Sequence, residues 1–287
     1  MRIITFNIDE KSAGMQIRDY LRGFGVSSAL LTKLKQTENG ITKNGVFAKA
    51  IEKIECGDEL TICIKSEGTM PKPADLPLDT IYEDEDVLAL NKPAAMPVHE
   101  SRNHRGDTLS NAVANYMKGK RDSAFRAVFR LDRDTSGIVL TAKNELAAAK
   151  LAGKIKKDYY AVVCGETAGK GTIDAPIRRL GDSIIKRGVF EDGDSAITHY
   201  ESIKTNGKYT LLKINLETGR THQIRVHFSN IGHPLAGDDL YGGSRADIAR
   251  QALHCKAICF THPVKGKKIT LECDFPPDME KLIEEMK

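Results

Sequence analysis

From Leu78 onward the chain is a succession of short apolar runs that alternate at the period of a strand, and this pattern narrows the fold more than any other feature. The runs are TIYEDEDVLALNK, AVFRL, GIVLTAK, YYAVVCG, AITHYESIK, YTLLKINLE, ALHCKAICF and KKITLECDF. Helical spacing interrupts them at Thr108 to Lys118, Glu145 to Ile155 and Thr221 to Ile231, and a charged helical stretch from Asp278 to Met286 ends the chain. Strands that follow one another with so few crossover helices predict an α+β domain on a mixed, mostly antiparallel sheet with flanking helices. With 287 residues the chain exceeds one typical domain, so a second, smaller unit is expected.

That unit is read at the start of the chain. Met15 to Gly23 and Ser27 to Gln36 carry apolar residues at helical spacing, with Ser27 and Ser28 suited to cap the second helix. ITKNGVF then reads as a hairpin turning at Asn44-Gly45, and GDELTICI as a strand. The expected boundaries are residues 1–65 for the small unit, a linker over 66–77 where SEGTMPKPADLP concentrates Gly, Pro and polar residues, and 78–287 for the large domain. The order of helix, helix, hairpin and strand resembles the S4-like RNA-binding module. The resemblance implies that Arg18, Arg22, Lys33, Lys35 and Lys43 face RNA. Met1 to Lys65 holds ten basic and eight acidic residues, so a solvated surface explains those lysines almost as well.

Several function classes are disfavoured. The longest apolar stretches are too short to cross a bilayer as helices, and MRIITFNIDEK alternates as a strand where a secretory signal would carry an apolar core, which predicts a cytoplasmic protein. Six thinly spread cysteines in a chain able to bury a core read as reduced thiols. Cys255 and Cys259 with His254 and His262 offer zinc-ligand types, but strand alternation puts both cysteines on one face with Leu253 and Ala257, as in core packing. No glycine-rich phosphate loop or dinucleotide fingerprint occurs, so neither cofactor nor metal is expected. A net charge of +4 permits a polyanionic partner without requiring one.

The segment FRLDRDTSGIVLTAKN concentrates charge between two apolar runs. Asp134, Thr135 and Ser136 suit a turn closed by Gly137, whereas Asp132, directly after the expected strand AVFRL, would stand on rigid backbone at the mouth of a cleft. RLDRDTSG is similar to the signature of RluA-type RNA pseudouridine synthases, whose catalytic aspartate falls on Asp132. Five further segments resemble that family's motifs in order: YEDEDVLALNKPAAMPVH, KDYYAVVCG, ETGRTHQIRVH, GHPLAGDDLYG and ALHCKAICFTHP. Phe129 stands where many members carry histidine, so no role is carried over to that position, and activity is expected to survive the difference.

The resemblance implies an isomerisation that breaks the bond between ribose C1′ and uracil N1, turns the base and joins C1′ to C5, with no cofactor. Asp132 would act as nucleophile or as base on a C2′ proton, and the sequence does not choose. A carboxylate in a partly apolar pocket needs a cation to stay charged, and the resemblance assigns that to Arg225, on an expected helix shared with Thr221 and His222. It assigns Tyr159 to stacking on the extruded uracil, with Tyr160 on the opposite face of the strand. Extruding a base costs about a few kcal/mol, which phosphate contacts must offset. The candidates for RNA contact are Arg130, Arg133, Lys143, Arg220, His222, Arg102 and Arg105, together with Lys92 of the Lys-Pro motif. Lys154, Lys156 and Lys157 are left unassigned, since a solvated helix end favoured by its dipole would account for them. RNA is the expected partner, rRNA of the 23S class before tRNA. The rivals are a non-catalytic RNA-binding or ribosome-assembly protein and a glycoside hydrolase, which would need a second carboxylate. The oligomeric state is unreadable.

Overall fold

A computed structural model describes residues 1–65, 70–119, 124–181 and 183–286 of the chain. The first elements are β1 (Arg2–Asn7), α1 (Ile17–Phe24), α2 (Ser28–Gln36), β2 (Ile41–Lys43), β3 (Val46–Phe47) and β4 (Glu59–Ile64). They form a four-stranded sheet in the order β1-β4-β2-β3, with α1 and α2 closing over a core of Ile17, Leu21, Leu34, Ile54 and Ile62. Ser27 caps α2 by accepting the Leu30 N–H at 3.2 Å. Asn44 and Gly45 turn the β2–β3 hairpin with both φ values positive, at 52° and 78°.

This small sheet does not hang free of the rest. Leu146 of the following domain is fully buried in its core, Arg2 pairs with buried Asp86 through two bonds of 2.9 and 3.0 Å, and Lys33 reaches Glu145 at 2.6 Å. The first four residues of the expected linker lie outside the described residues, and residues 70–78 form no helix or strand.

The large domain continues with β5 (Asp79–Glu83), β6 (Val87–Lys92), α3 (Leu109–Tyr116), β7 (Arg126–Ala127), β8 (Ser136–Ala142), α4 (Glu145–Leu151), β9 (Lys156–Cys164), β10 (Lys170–Asp174), β11 (Ile177–Arg179), β12 (Arg187–Val189), β13 (Ile197–Thr205), β14 (Tyr209–Leu216), α5 (Gln223–Asn230), β15 (Leu253–Thr261), β16 (Lys268–Glu272) and α6 (Pro277–Glu284). The main sheet runs β10-β13-β14-β9-β15-β8-β6-β5, with β16 beside β15 and β7 beside β8. Its pairings are antiparallel except β15 with β8. This is the mixed α+β sheet that the alternation predicts. Every residue of β8 is buried, so its centre Ile138–Leu140 is apolar on both faces and does not alternate. At the start of β8, Gly137 (φ +111°) lies against β15, where a Cβ would come within 2.3 Å of the Cys255 carbonyl oxygen. Only glycine allows that approach.

Three expectations need correction. AVFRL is not a strand throughout: of it only Ala127, with Arg126 before it, is in register with β8, and after one more bond from the Val128 amide to the Leu140 carbonyl at 2.9 Å the chain leaves the ladder. Lys156 and Lys157 belong to β9, because the chain leaves α4 through Ala152 and Gly153. Cys255 and Cys259 do not share a face, since a bulge between Cys255 and Ala257 reverses the alternation. Leu253 and Cys255 enter the main core before it, and Ile258 and Phe260 after it. Beside them, His254 bonds Ser136 and Cys273, while His262 bonds Asp84, so the four zinc-type residues do not converge.

Candidate active site

Asp132 lies in the loop between β7 and β8, and that loop is held by side chains in place of a ladder. The ammonium of Lys92, fully buried at the end of β6, donates to the carbonyls of Pro93, Met96 and Arg133 at 2.8 to 2.9 Å. Arg250 donates to the Asp134 carbonyl at 3.1 Å, and the Thr135 amide closes a turn onto the Asp132 carbonyl at 3.1 Å. Burial pulls the Lys92 pKa down to about 7, with Asp134 pushing back and Arg250 adding to the fall. Lys92 is therefore no phosphate ligand. Its three donors are engaged and solvent does not reach it, which corrects its assignment to RNA contact.

The loop opens on a cleft of about 690 Å³ lined by residues 97–101, 127–133 and Thr135, by Lys157 and Tyr159 of β9, by Leu216 at the end of β14, and by the approach to α5. Asp132, Arg130, Arg133, Tyr159, Arg220, His222 and Arg225 all line it, so most of the residues picked from sequence converge here. Lys143 does not: it is turned away to Glu83 and the Asp84 carbonyl. Lys33 and Lys35 stand on α2, and Arg102 and Arg105 are exposed beyond the lining.

Arg225 is 7% exposed and carries the site's central charge. Its main partner is one the sequence did not reveal: Asp238, 1% exposed, takes Nε at 2.7 Å and Nη2 at 2.8 Å in a two-pronged pair. Nη1 remains to donate to Asp132 Oδ2 at 3.2 Å. Burial alone would lower the Arg225 pKa, but the bonds and charge of Asp238, followed by those of Asp132, raise it. The guanidinium stays charged and fixed. Asp132 Oδ2 is also 3.7 Å from His222 Nε2, and no donor among the described residues bonds Oδ1.

α5 starts at Gln223, so Thr221 and His222 are not helical neighbours of Arg225 as expected. His222 precedes the helix in the left-handed region (φ 59°), and its ring lies between Asp132 and Tyr241 at the cleft. Burial lowers its pKa, with Asp132 opposing the fall. Tyr159 is 6% exposed, and its ring lines the cleft, while Tyr160 packs edge-on to Phe275 at 5.4 Å on the other face. Burial raises the Tyr159 pKa well above its ordinary value, with Cys255 and Asp132 adding to it. The hydroxyl stays protonated.

The rim is basic. Arg130 is exposed, Arg133 is paired with Asp134 at 2.8 Å, and Arg220 donates to the Ser195 carbonyl at 3.0 Å. Lys157, to which the sequence assigns no role, places Nζ 4.9 Å from the Phe129 ring centre within the lining. The group of Asp84, Asp86 and His262 has metal-ligand types within reach of one another. Its atoms are spoken for: Asp86 is bound by Arg2 and Asn144, and Asp84 by two backbone amides, Tyr82, Lys265 and His262.

The sequence matches the family described as RNA pseudouridylate synthase over residues 86–230. It is 41% identical over 281 residues to the uncharacterized RNA pseudouridine synthase YjbO of Bacillus subtilis, covering 94% of this chain and 98% of that one. It is 36% identical over 263 residues to ribosomal large subunit pseudouridine synthase D of Escherichia coli K12, covering 84% of this chain and 81% of that one. Among solved structures, human RNA pseudouridylate synthase domain containing 1 shares the fold with a TM-score of 0.59 at 23% identity, over 76% of this chain and 97% of that one.

Proposed function

This chain belongs to the RluA-type RNA pseudouridine synthases, and from that premise we propose that it modifies 23S ribosomal RNA with Asp132 as the reactive group. It is an isomerase acting on RNA. The C1′–N1 bond of a uridine breaks, the base turns, and C1′ bonds to C5; C5 loses a proton and N1 takes one up, so nothing external is consumed. The observation that carries the assignment of Asp132 is its setting. One carboxylate oxygen is occupied by Arg225 at 3.2 Å, the other has no donor among the described residues, and the group lines the cleft. Such a carboxylate can attack carbon or take a proton from C2′. Tyr159 would lie against the extruded uracil, and Arg130, Arg133, Lys157 and Arg220 would hold the flanking phosphates.

The choice of rRNA over tRNA leans on relatives named for the large ribosomal subunit. The N-terminal unit over residues 1–65, taken as an S4-like RNA-binding module, would add a second contact. There Lys35 is exposed on α2, whereas Lys33 is held by Glu145. No helix among the described residues is long and apolar enough to cross a membrane.

Mapping pseudouridines in total RNA from cells lacking this protein, complemented with wild type or with Asp132→Asn, tests the proposal. The expected result is loss of specific 23S sites, restored by the wild type alone. Loss confined to tRNA would move the substrate, and restoration by Asp132→Asn would remove Asp132 from the reaction.

A further inference from the structure

Tyr241 does not itself line the cleft, yet it is tied to the site from three sides. It ends the short turn Asp239–Tyr241 that follows Asp238, is 7% exposed, and packs with Ile177, Ala196 and Val226. The Arg225 guanidinium lies 5.0 Å from its ring centre. Its hydroxyl oxygen accepts the Arg187 backbone N–H of β12 at 3.0 Å and lies 2.9 Å from His222 Nδ1. Among the described residues these are its two hydrogen-bond partners. A phenol has one hydrogen to donate. The Arg187 amide can only donate, so the phenol hydrogen is left for His222 Nδ1. A ring that accepts at Nδ1 and is neutral carries its hydrogen on Nε2, the nitrogen 3.7 Å from Asp132 Oδ2.

We propose that Tyr241 is a positioning residue for the isomerisation: its hydroxyl, fixed by the Arg187 amide, holds His222 in the tautomer whose Nε2–H faces Asp132 Oδ2. This rests on the reading of Asp132 as the reactive carboxylate. With Arg225 Nη1 bonded to Oδ2 at 3.2 Å and the His222 Nε2–H facing the same oxygen from 3.7 Å, the carboxylate is engaged through one oxygen and reacts through the other. The left-handed backbone at His222, a conformation unfavourable for a non-glycine residue, places the ring between Tyr241 and Asp132. The charged groups around the ring are Asp132, Asp238, Arg187 and Arg225. Burial holds it toward the neutral form that the tautomer requires.

The test uses the full-length protein with ¹⁵N-histidine. Long-range ¹H–¹⁵N spectra of the wild type are expected to show His222 protonated at Nε2 with an unprotonated Nδ1, and Tyr241→Phe to give a mixture of tautomers. On an in vitro 23S transcript, Tyr241→Phe is expected to lower kcat about three- to tenfold, the worth of one hydrogen bond, with KM unchanged. In a His222→Gln background, which has no tautomer to set, Tyr241→Phe should cost no further activity. A wild-type His222 protonated at Nδ1, a tautomer unmoved by Tyr241→Phe, or an equal kcat loss in both backgrounds would overturn the proposal. If the wild type leaves the transcript unmodified, the substrate assignment falls, while the His222 spectra still decide this inference.

Discussion

Asp132 and Asp238 both bind Arg225, and replacing each by asparagine should separate holding the arginine from doing the chemistry. Asp238 is 1% exposed and receives two short bonds, while Asp132, with a side chain 28% exposed, receives one bond of 3.2 Å. Asp238→Asn keeps one acceptor but turns an N–H₂ group against a guanidinium N–H and leaves a buried cation without its main counter-charge. Breaking a buried pair from one side costs about 3–5 kcal/mol. Asp132→Asn leaves Arg225 bound to Asp238 and removes a partly exposed contact, so its cost should be about 1 kcal/mol or less. Activity should rank in the opposite way. Asp132→Asn should lose about a thousandfold or more, whereas Asp238→Asn, assayed where it is still folded, should lose about a hundredfold through misplacement of Arg225. Urea unfolding and tritium release from 5-³H-uridine-labelled rRNA give the two numbers. Equal destabilisation by the two substitutions would refute the reading of Asp238 as the anchor, and an active Asp132→Asn enzyme would refute the mechanism.

Tyr159→Phe should keep activity within about tenfold, and Tyr159→Leu should lose about 1–3 kcal/mol of stacking, read in single-turnover rates; a Phe variant as poor as Leu would place the role in the hydroxyl. Arg130→Ala should raise KM with kcat unchanged and reduce the slope of log binding constant against log salt by about 0.7, and an unaltered slope would remove Arg130 from the phosphate contacts. Burial, helped by Arg250 and Lys256, pulls the His254 pKa down to about 4, against about 6.5 in an unfolded chain. Between those values the unfolded state binds more protons, so stability should fall by about 3 kcal/mol as pH drops from about 6.5 to about 4. His254→Gln should flatten the unfolding free energy across that window, and an unchanged pH profile would show that His254 titrates normally.

What the sequence revealed and what it concealed divide along the range of the forces involved. Strand alternation, the Ser27 cap and the Asn44-Gly45 turn are local, and they placed the elements to within a few residues. AVFRL, the lead into Asp132, has strand composition and so predicts a strand, yet the chain leaves the ladder after Val128 and its loop is held by Lys92 and Arg250, both remote in sequence. Lys92 shows the same limit from the other side. A lysine beside a proline reads as a surface cation, and only the three carbonyls gathered around it make burial tolerable. The bulge near Lys256 leaves no trace in the apolar pattern, because a single extra residue reverses the facing of every later one while each keeps an acceptable environment.

The site follows the same logic. Motif resemblance names Asp132, Tyr159 and Arg225, but it does not single out Asp238 and Tyr241, although they sit in one of those motifs, GDDLYG. A carboxylate and a phenol in a polar turn have an adequate local explanation, and nothing in the turn tells that Asp238 is the buried counter-ion of an arginine on α5. Burial supplies the missing signal. A fully enclosed carboxylate must be paired, so whichever acid accompanies a buried arginine into the core is the one that orients it. Applied to this chain, that rule selects Asp238 as the anchor and leaves Asp132, the more exposed of the two, with an oxygen available to the substrate.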